Sequence, residues 1–449
     1  MDWTAAQYEL FESLAQVVRV LFAIAFGACV GSLINVLVYR LPLGMGVVTP
    51  PSRCPSCETR LTWQENIPIF GWLFLKGRCR FCRSKISPEY PLVELLVGVI
   101  YLALYAERGM FMGINFGAIR PEWARNGFTE TWPVFIVVLM LFSSLVAMTL
   151  TDIKSYTIPL VLTWFPAIVA VVAHPAAALW IQETRGGWSW TARGEVWAIV
   201  TPGFHGWWWI GAALGGALGL VLANVLMSFG VIGRSFADYE AWEQQALADR
   251  AAEAGTDAKH LGHQPETQPA EMWIQYPHAR REMLRELIFL SPCIGLALCG
   301  GWIAQKLAGP WAFDPGTGLY VPSATAPLWL TVLAGVLLGY LIGGGVVWAV
   351  RIFGSMAFGK EAMGLGDVHL LAAVGACLGW ADATLTLFAA VLLGLIWPLV
   401  SLVSGGKVQR TLPFGPWLAA GAIVVFFAKP LIERFLGVIM GYEGPLGLP

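Results

Sequence analysis

The chain has 449 residues, of which 57% are hydrophobic and only 13% are charged, and its formal net charge is −1. Because an average soluble domain carries about 25% charged residues, this composition excludes an ordinary soluble protein and indicates an integral membrane protein. The nearly neutral charge argues against a general nucleic-acid-binding protein.

Apolar stretches that are long enough to cross a bilayer recur along the whole chain. A membrane-spanning helix needs about 20 apolar residues, and shorter ones occur in bundles. The predicted spans are 14–40, 91–107, 133–151, 158–175, 207–230, 286–306, 327–350, 368–381, 383–403 and 412–437. The short stretch 368–381 has an alternative interpretation, in which it forms a re-entrant pair with 383–403. The sequence therefore predicts an all-α polytopic membrane protein, a bundle of about 8–10 transmembrane helices.

Basic residues are concentrated in alternate loops. Loop 41–90 is the richest, with Arg40 at its edge and with Arg53, Arg60, Lys76, Arg78, Arg80, Arg83 and Lys85 inside it. Because cytoplasmic loops of membrane proteins are enriched in Lys and Arg, we expect loop 41–90 to face the cytoplasm. Alternation of the spans then places the other cytoplasmic loops at 152–157, 231–285, 351–367 and 404–411, and both chain termini on the outside.

The spans and loops divide the chain into five parts. We expect a first span in 1–41, which is retained rather than cleaved, a small cytoplasmic lobe in 42–90, and a membrane bundle in 91–233. A charged segment, 234–285, is predicted to be a partly helical, partly flexible cytoplasmic insertion, and 286–449 forms a second membrane bundle. No internal repeat is predicted.

Four of the eight cysteines lie in the cytoplasmic lobe as two CxxC pairs. These are Cys54 with Cys57 and Cys79 with Cys82. Two CxxC turns can supply four thiolates to one tetrahedral zinc ion, and a cytosolic location keeps thiols reduced. With four protein ligands no position is left for a catalytic water, so a zinc ion here would be architectural. The alternatives are two redox-active pairs or incidental cysteines.

Two aspartates lie at predicted membrane boundaries. Asp152 follows one span, and Asp367 opens another after Gly364 and Gly366, which allow a close backbone approach. Ionisable residues at the bilayer edge are costly, and the predicted topology puts both aspartates on the cytoplasmic face. Two carboxylates that share a proton form the acid and base pair of an aspartic protease. The alternative is that each aspartate only caps a local turn or helix.

Short motifs follow one another along the chain in a distinctive order. They lie at 31–42, at the two CxxC pairs, and at 66–72, 86–87, 90–96, 152–159, 359–367 and 412–416. Together they resemble the type IV prepilin peptidase family, the GxGD-type membrane aspartyl proteases. The insertion 234–285 and the long outside loops lie outside this resemblance.

The resemblance implies an activity and a substrate class. It implies that Asp152 and Asp367 are the catalytic pair and that the four lobe cysteines hold zinc. Substrates would be prepilins or pseudopilins of type IV pilus or type II secretion systems, cut at the cytoplasmic boundary of the bacterial inner membrane. Many members of the family also methylate the new N-terminal amine with S-adenosylmethionine.

Several further polar or small residues match the family pattern near the cytoplasmic side. The candidates for the substrate or methylation site are Asn35, Arg40, Glu94, Gly364, Gly366 and His369. Asn35, Arg40 and Glu94 have an alternative interpretation as interhelical hydrogen-bond partners. The chain departs from the family at His369, where Lys is usual, and at Leu160, where an acidic residue is common.

Two other classes of function compete with the peptidase. One is a catalytically inactive, zinc-lobed membrane scaffold of a pilus or secretion system, in which the lobe and the insertion dock partners. The other is a redox membrane protein that uses the CxxC pairs. One bound zinc ion per chain with all four thiols protected would exclude the redox protein, and loss of cleavage in aspartate variants would exclude the scaffold.

Overall fold

The structure is a computed structural model, and part of the chain lies outside what it describes. The described residues are 4–105, 128–185, 198–202, 206–239, 241–242, 244–245, 248, 278–309, 311–314, 319–322, 324, 326–359, 361–403 and 413–441. Most of the predicted insertion 234–285, most of the outside loop 108–132 and the loop 404–411 therefore lie outside the described residues.

The described chain is almost entirely helical, as the sequence predicts. The helices are α1 (Ala5–Arg40), α2 (Phe70–Phe74), α3 (Glu89–Tyr105), α4 (Phe128–Ser155), α5 (Leu160–Arg185), α6 (Trp207–Ser228), α7 (Ala279–Leu307), α8 (Leu328–Phe358), α9 (Leu365–Leu378), α10 (Trp380–Val403) and α11 (Gly415–Met440). One antiparallel hairpin, β1 (Trp311–Asp314) and β2 (Leu319–Pro322), was not predicted.

Length and composition identify six of the described helices as candidate membrane spans. They are Ala6–Arg40, Trp132–Ser155, Leu160–Thr184, Trp207–Ser228, Ala279–Leu307 and Leu328–Phe358, and two shorter apolar helices are Leu365–Leu378 and Trp380–Ile396. Large apolar side chains such as Phe22 and Leu392 are exposed on these helices, which suits helices surrounded by lipid. The expected multi-pass helical membrane protein is confirmed.

Two predicted boundaries differ from the structure. Helix α7 begins at Ala279, so the last residues of the predicted insertion are helical, and Ala279 and Met283 are buried. Polar residues such as Arg280, Arg281 and Arg285 lower the mean hydropathy of this segment, so hydropathy alone does not predict that the helix begins here. Helices α9 and α10 are separated only by Gly379, whose φ of 103° suits glycine and ends α9.

The described residues group into two compact units, which are treated separately below. The first unit comprises Met1–Val200, Pro327–Gly343 and His369–Pro449, and the second comprises Thr201–Ala326 and Gly344–Val368.

Glycines allow close helix crossings inside the first unit. A Cβ on Gly31 of α1 would lie 2.6 Å from the Cα of Glu94 on α3. Between α8 and α9, a Cβ on Gly339 would lie 2.0 Å from the carbonyl oxygen of Gly375, and the reverse distance is also 2.0 Å. Small residues at membrane helix crossings let backbones meet closely, so these positions fix how the helices pack.

The second unit is organised around the pair α6 and α7. A Cβ on Gly211 would lie 2.1 Å from the carbonyl oxygen of Gly300, so these two helices also cross at glycine contacts. Beyond the start of α7, a cluster of buried side chains joins α7 and α8 to the first residues of the predicted insertion. Its members are Phe236, Ala279, Met283 and Ile352, with Tyr239, Trp242, Leu290 and Trp348 packed against them.

Candidate active site and metal centre

The lobe contains two copies of one cysteine turn. In the first, the amide of Cys54 donates to the carbonyl of Thr59 at 3.0 Å, and the amide of Glu58 donates to the carbonyl of Cys54 at 2.9 Å. In the second, the amide of Cys79 donates to Ser84 at 2.9 Å, and the amide of Arg83 donates to Cys79 at 3.1 Å.

Further features of the two turns match. Glu58 and Arg83, the residues that follow the second cysteine of each pair, both have positive φ, at 55° and 59°. Isolated β-bridges close the two turns in the same way, between Arg53 and Arg60 and between Arg78 and Lys85. The expectation of no internal repeat therefore missed this short duplicated turn. A sequence signal was available to find it: in both turns an Arg directly precedes the CxxC pair, and a second basic residue follows seven positions after that Arg.

The four sulfur atoms are arranged for one metal ion. All four lie within 4.8 Å of one another, with 3.8 Å between the sulfurs of Cys54 and Cys82 and 4.0 Å between those of Cys57 and Cys79. Zinc–sulfur bonds of about 2.3 Å in a tetrahedron place the sulfurs about 3.8 Å apart. The donor set and spacing thus fit one zinc ion, because the sulfurs of both CxxC pairs belong to a single cluster.

Local hydrogen bonds favour the thiolate form of two of these cysteines. The backbone amides of Cys57 and Ser56 lower the pKa of Cys54 to about 6. The hydroxyl and backbone of Ser84 lower the pKa of Cys82. Thiolate is the metal-binding form, so two of the four ligands are prepared for a cation. The pKa of Cys79 is instead raised by burial and by its contacts with the sulfurs of Cys54 and Cys82.

Glu94 and Arg40 tie the lobe to the membrane helices. The buried carboxylate of Glu94 on α3 accepts a hydrogen bond of 2.6 Å from the amide of Ile69, whose φ is 64°. Arg40 at the end of α1 donates to the carbonyls of Gly46 and Val47 at 3.0 and 2.9 Å. These bonds run to the lobe and its entry loop. Glu94 also accepts a hydrogen bond from the hydroxyl of Ser32 on α1, so it is an interhelical partner as well, in line with the alternative interpretation.

Asn35 does make an interhelical contact. Its side-chain amide donates to the carbonyl of Tyr90 at 3.1 Å, which joins α1 to α3. Asn35 and Tyr90 also line a cavity of about 260 Å³, with Tyr39, Lys154 and Ser155 among its other lining residues. The cavity opens next to the helix end that carries Asp152.

Asp152 lies in the last turn of α4 and is 7% exposed. Its carboxylate faces Gly415, the first residue of α11, whose backbone amide is directed at it. A Cβ on Gly415 would lie 2.5 Å from Oδ2 of Asp152 and 3.3 Å from Cδ1 of Ile158. The N-terminus of a helix favours a negative charge, so α11 stabilises the carboxylate of Asp152. The alternative interpretation had this carboxylate cap only its own turn.

The lobe and Asp152 occupy the same end of the first unit. Lys154, two residues after Asp152, forms an ion pair with Glu89, the first residue of α3, which directly follows the lobe. Glu89 thus already has a basic partner within the chain.

Asp367 lies in the first turn of α9 and is 8% exposed. The helix begins at Leu365, so Gly366 and Asp367 are already helical, and Asp367 is not the N-cap. A Cβ on Gly364 would meet nothing closer than 3.9 Å, where the nearest atoms include Oδ2 of Asp367. Among the described residues, the expected close backbone approach is therefore not seen at Gly364. His369 follows two residues later and is partly buried.

Sequence reasoning did not single out two residues that the structure places at these sites. Gly415 was quoted only as part of a motif, and Arg351 only as a loop charge. An arginine at the end of an apolar stretch is a signal that was available in the sequence, because an ionisable residue in a membrane helix calls for a partner, and the structure buries Arg351.

The fold and the site together define a class of protein: a multi-pass helical membrane protein with a four-thiol metal site and buried carboxylates at the ends of its helices. A family model described as the bacterial peptidase A24 N-terminal domain matches residues 24–108, and one described as the type IV leader peptidase family matches residues 311–399. These two parts of the chain are thus similar to the type IV leader peptidase family, which is the resemblance that the motifs indicated. The first match contains the lobe and the second contains Asp367, whereas Asp152 and Gly415 lie outside both.

Curated relatives carry the same family name. A prepilin leader peptidase/N-methyltransferase of Myxococcus xanthus is 38% identical over 152 residues, which cover 34% of this chain and 39% of the relative. One of Klebsiella pneumoniae is 44% identical over 87 residues, or 18% of this chain and 38% of the relative. One of Aeromonas salmonicida is 23% identical over 442 residues, or 92% of this chain and 93% of the relative.

The extent of these matches varies. The chain covers about two fifths of the Myxococcus and Klebsiella relatives and nearly all of the Aeromonas relative. No solved structure matches the chain. The similarity to this family and the apolar helices support a multi-pass protein of the bacterial inner membrane.

Proposed function

We propose that this protein is a membrane aspartyl endopeptidase that removes the leader of type IV prepilins or pseudopilins and then methylates the new N-terminal amine. The observation that carries this proposal is the burial of two carboxylates, Asp152 and Asp367, each at the end of an apolar helix. Burying a carboxylate at the end of a membrane helix is costly, so its presence there calls for a function. The names of the curated relatives support the same reaction.

Asp152 and Asp367 would act as one catalytic pair. One carboxyl group holds a proton and donates it to the leaving amine, while the other, ionised, takes a proton from the attacking water. Water adds to the scissile carbonyl, the C–N bond breaks, and the amine leaves with the proton. The pair can then return to its starting protonation state. The alternation of the predicted spans supports the proposal, because it puts both residues on one face of the membrane.

We infer that this face is the cytoplasmic one. The basic residues of the lobe support this orientation through the positive-inside rule, and Asp152 shares the lobe's end of the first unit. A prepilin-like substrate, with a basic leader and an apolar helix, would keep its leader in the cytosol while its helix lies in the bilayer. The scissile bond, just before the helix, would then lie at the depth of the aspartates.

The methylation step would use S-adenosylmethionine as the methyl donor. It is supported by the printed names of the relatives, which include N-methyltransferase. The candidate residues for this step are Asn35, which lines the cavity beside α4, and Glu94 and Arg40, which anchor the lobe. The amine that cleavage releases at the site of Asp152 would need to reach this part of the first unit.

Cleavage of a tagged prepilin-like substrate in membranes tests the peptidase. We expect Asp152→Asn and Asp367→Asn each to slow cleavage by about 10²–10⁴-fold, which is the contribution typical of a general acid or base. Expression and zinc content should match the wild type. If either variant cleaves at the wild-type rate, the catalytic pair is wrong. An active wild type also excludes an inactive scaffold.

Mass spectrometry of the mature product in the same membranes tests the methyltransferase. The N-terminal residue should gain the mass of one methyl group only when S-adenosylmethionine is supplied. A cleaved product that stays unmethylated at saturating donor would restrict the proposal to the peptidase.

A further inference from the structure

A buried ionic cluster in the second unit lies beside the loop that leads to Asp367. Its centre is Arg351 near the end of α8, which is 1% exposed and is the largest fully buried side chain among the described residues. Its Nε donates to Oε1 of Glu286 on α7 at 2.9 Å. Its Nη1 donates to the carboxylate of Glu361 and to the carbonyl of Met363.

Glu286 is held from several sides, so it gives Arg351 a fixed partner. Nε1 of Trp348 donates to Oε2 of Glu286 at 2.8 Å, and the hydroxyl of Ser235 donates to Oε1 at 3.0 Å. The guanidinium carbon of Arg351 also lies 5.1 Å from the ring centre of Phe236, a cation–π distance. Ser235 and Phe236 belong to the first residues of the predicted insertion.

The loop between α8 and α9 is attached to α8 at three consecutive residues. Arg351 binds the side chain of Glu361 and the backbone of Met363, and between them the amide of Ala362 donates to the hydroxyl of Ser355 at 3.1 Å. Helix α9 begins at Leu365, two residues after the last of these contacts. The first turn of α9, which carries Asp367, therefore starts from an anchored backbone.

A buried arginine is retained at such a place for geometry more than for stability. Taking a guanidinium and carboxylates out of water is expensive, and a well-packed apolar replacement is often as stable. The planar guanidinium, however, can bind a carboxylate and a carbonyl in fixed directions at the same time, which a lysine ammonium cannot do. Supporting contacts of this kind hold reactive groups within the narrow tolerance that catalysis requires.

We propose that Arg351, fixed by Glu286, is a positioning residue that sets the first turn of α9 and with it the carboxylate of Asp367. The start of the insertion contributes to this cluster, because Ser235 contacts Glu286 and Phe236 contacts Arg351. This inference rests on the proposed peptidase function of Asp367, and it assigns Arg351 no contact with substrate.

Arg351→Lys tests the proposal in the full-length protein in membranes. Lysine keeps the charge and the pairing with Glu286 but cannot also hold Glu361 and Met363 in the guanidinium geometry. We expect kcat for cleavage to fall about 10- to 100-fold, while KM stays within about twofold. A kcat within twofold of the wild type would overturn the proposal.

A matched control uses an ion pair in the first unit whose carboxylate is buried. Lys429 on α11 and Asp382 on α10 are 3.1 Å apart; Asp382 is 1% exposed, and the side chain of Lys429 is 15% exposed. Lys429→Arg is the reverse exchange at a largely buried cation and should leave kcat within twofold. If both variants lose kcat equally, the effect is general destabilisation and the positioning role is wrong.

Glu361→Gln keeps the test decisive if Arg351→Lys does not fold. The side chain of Glu361 is 28% exposed, so this isosteric change should be tolerated. It should lower kcat several-fold without changing KM, and an unchanged kcat would contradict the proposal. Asp367→Asn in parallel separates the two hypotheses: its activity would refute the catalytic pair, whereas its inactivity beside a fully active Arg351→Lys would refute only the positioning role.

Discussion

The carboxylate of Asp152 and the backbone of Gly415 are in direct contact: Oδ2 lies 2.5 Å from where a Cβ on Gly415 would be. The absence of a side chain at Gly415 is what admits the carboxylate to the first turn of α11. The amides at that helix N-terminus are donors without partners in their own helix, so they suit a negative charge. α11 thus stabilises the ionised form of Asp152 and fixes its direction.

Gly415→Ala should therefore reduce cleavage. The added methyl group would overlap Oδ2 and push the carboxylate away from α11, and a displacement of about 1 Å can cost about 100-fold in rate. Cleavage kinetics in membranes measure the effect. Gly295→Ala on α7 is the matched control, because a Cβ there meets nothing within 4 Å, and it should retain wild-type kinetics. Equal rates for Gly415→Ala and Gly295→Ala would show that the contact has no role in catalysis.

The zinc centre should be structural and separate from cleavage chemistry. Cys54→Ser or Cys79→Ser removes one of four thiolates, so metal content should fall from about one zinc per chain to a small fraction, since such sites need their full ligand set. Elemental analysis of the purified protein gives the content. Cys29→Ser, outside the lobe, should keep its zinc. Full zinc retention by both lobe variants would rule out a four-thiolate site.

Glu94 should hold the lobe against α3. Glu94→Ala leaves the amide of Ile69 without its acceptor, a loss of about 1.5–3 kcal/mol for a bond to a charged group, so limited proteolysis should cut residues 42–88 faster. Glu94→Gln retains an acceptor oxygen and should resemble the wild type. A different result would reveal a chemical role: if Glu94→Gln cleaves substrate normally but fails to methylate it, the carboxylate belongs to the methylation site.

The crossing of α8 and α9 should tolerate no added side chain. At Gly375 a Cβ would overlap the carbonyl oxygen of Gly339 at 2.0 Å, and this contact is to backbone, which cannot turn aside. Gly375→Ala should cost about 1–3 kcal/mol, as overpacking does, and lower the unfolding temperature in detergent. Gly345→Ala on α8, where a Cβ meets no described atom within 4 Å, should leave the unfolding temperature unchanged. Equal unfolding temperatures would mean that the helices separate easily.

The sequence predicted features that depend on local pattern. Hydropathy located the membrane helices, because a span must be apolar over its whole length. The CxxC spacing predicted the metal site, since each pair and its hydrogen bonds lie within a few residues. Hydropathy did not predict the start of α7 at Ala279, because the outer face of its first turns is polar and the inner face is buried only against Phe236 and its neighbours.

By itself, the sequence determined that this is a multi-pass helical membrane protein with four cysteines spaced for a metal ion, and its motifs indicated the leader peptidase family. Only the tertiary structure decided which partners the buried polar residues have. Glu94 meets Ile69 across 25 residues, and Arg351 meets Glu286 across 65. Such contacts depend on how distant segments pack together, and no local pattern encodes which distant backbone or carboxylate that packing will bring within hydrogen-bond distance.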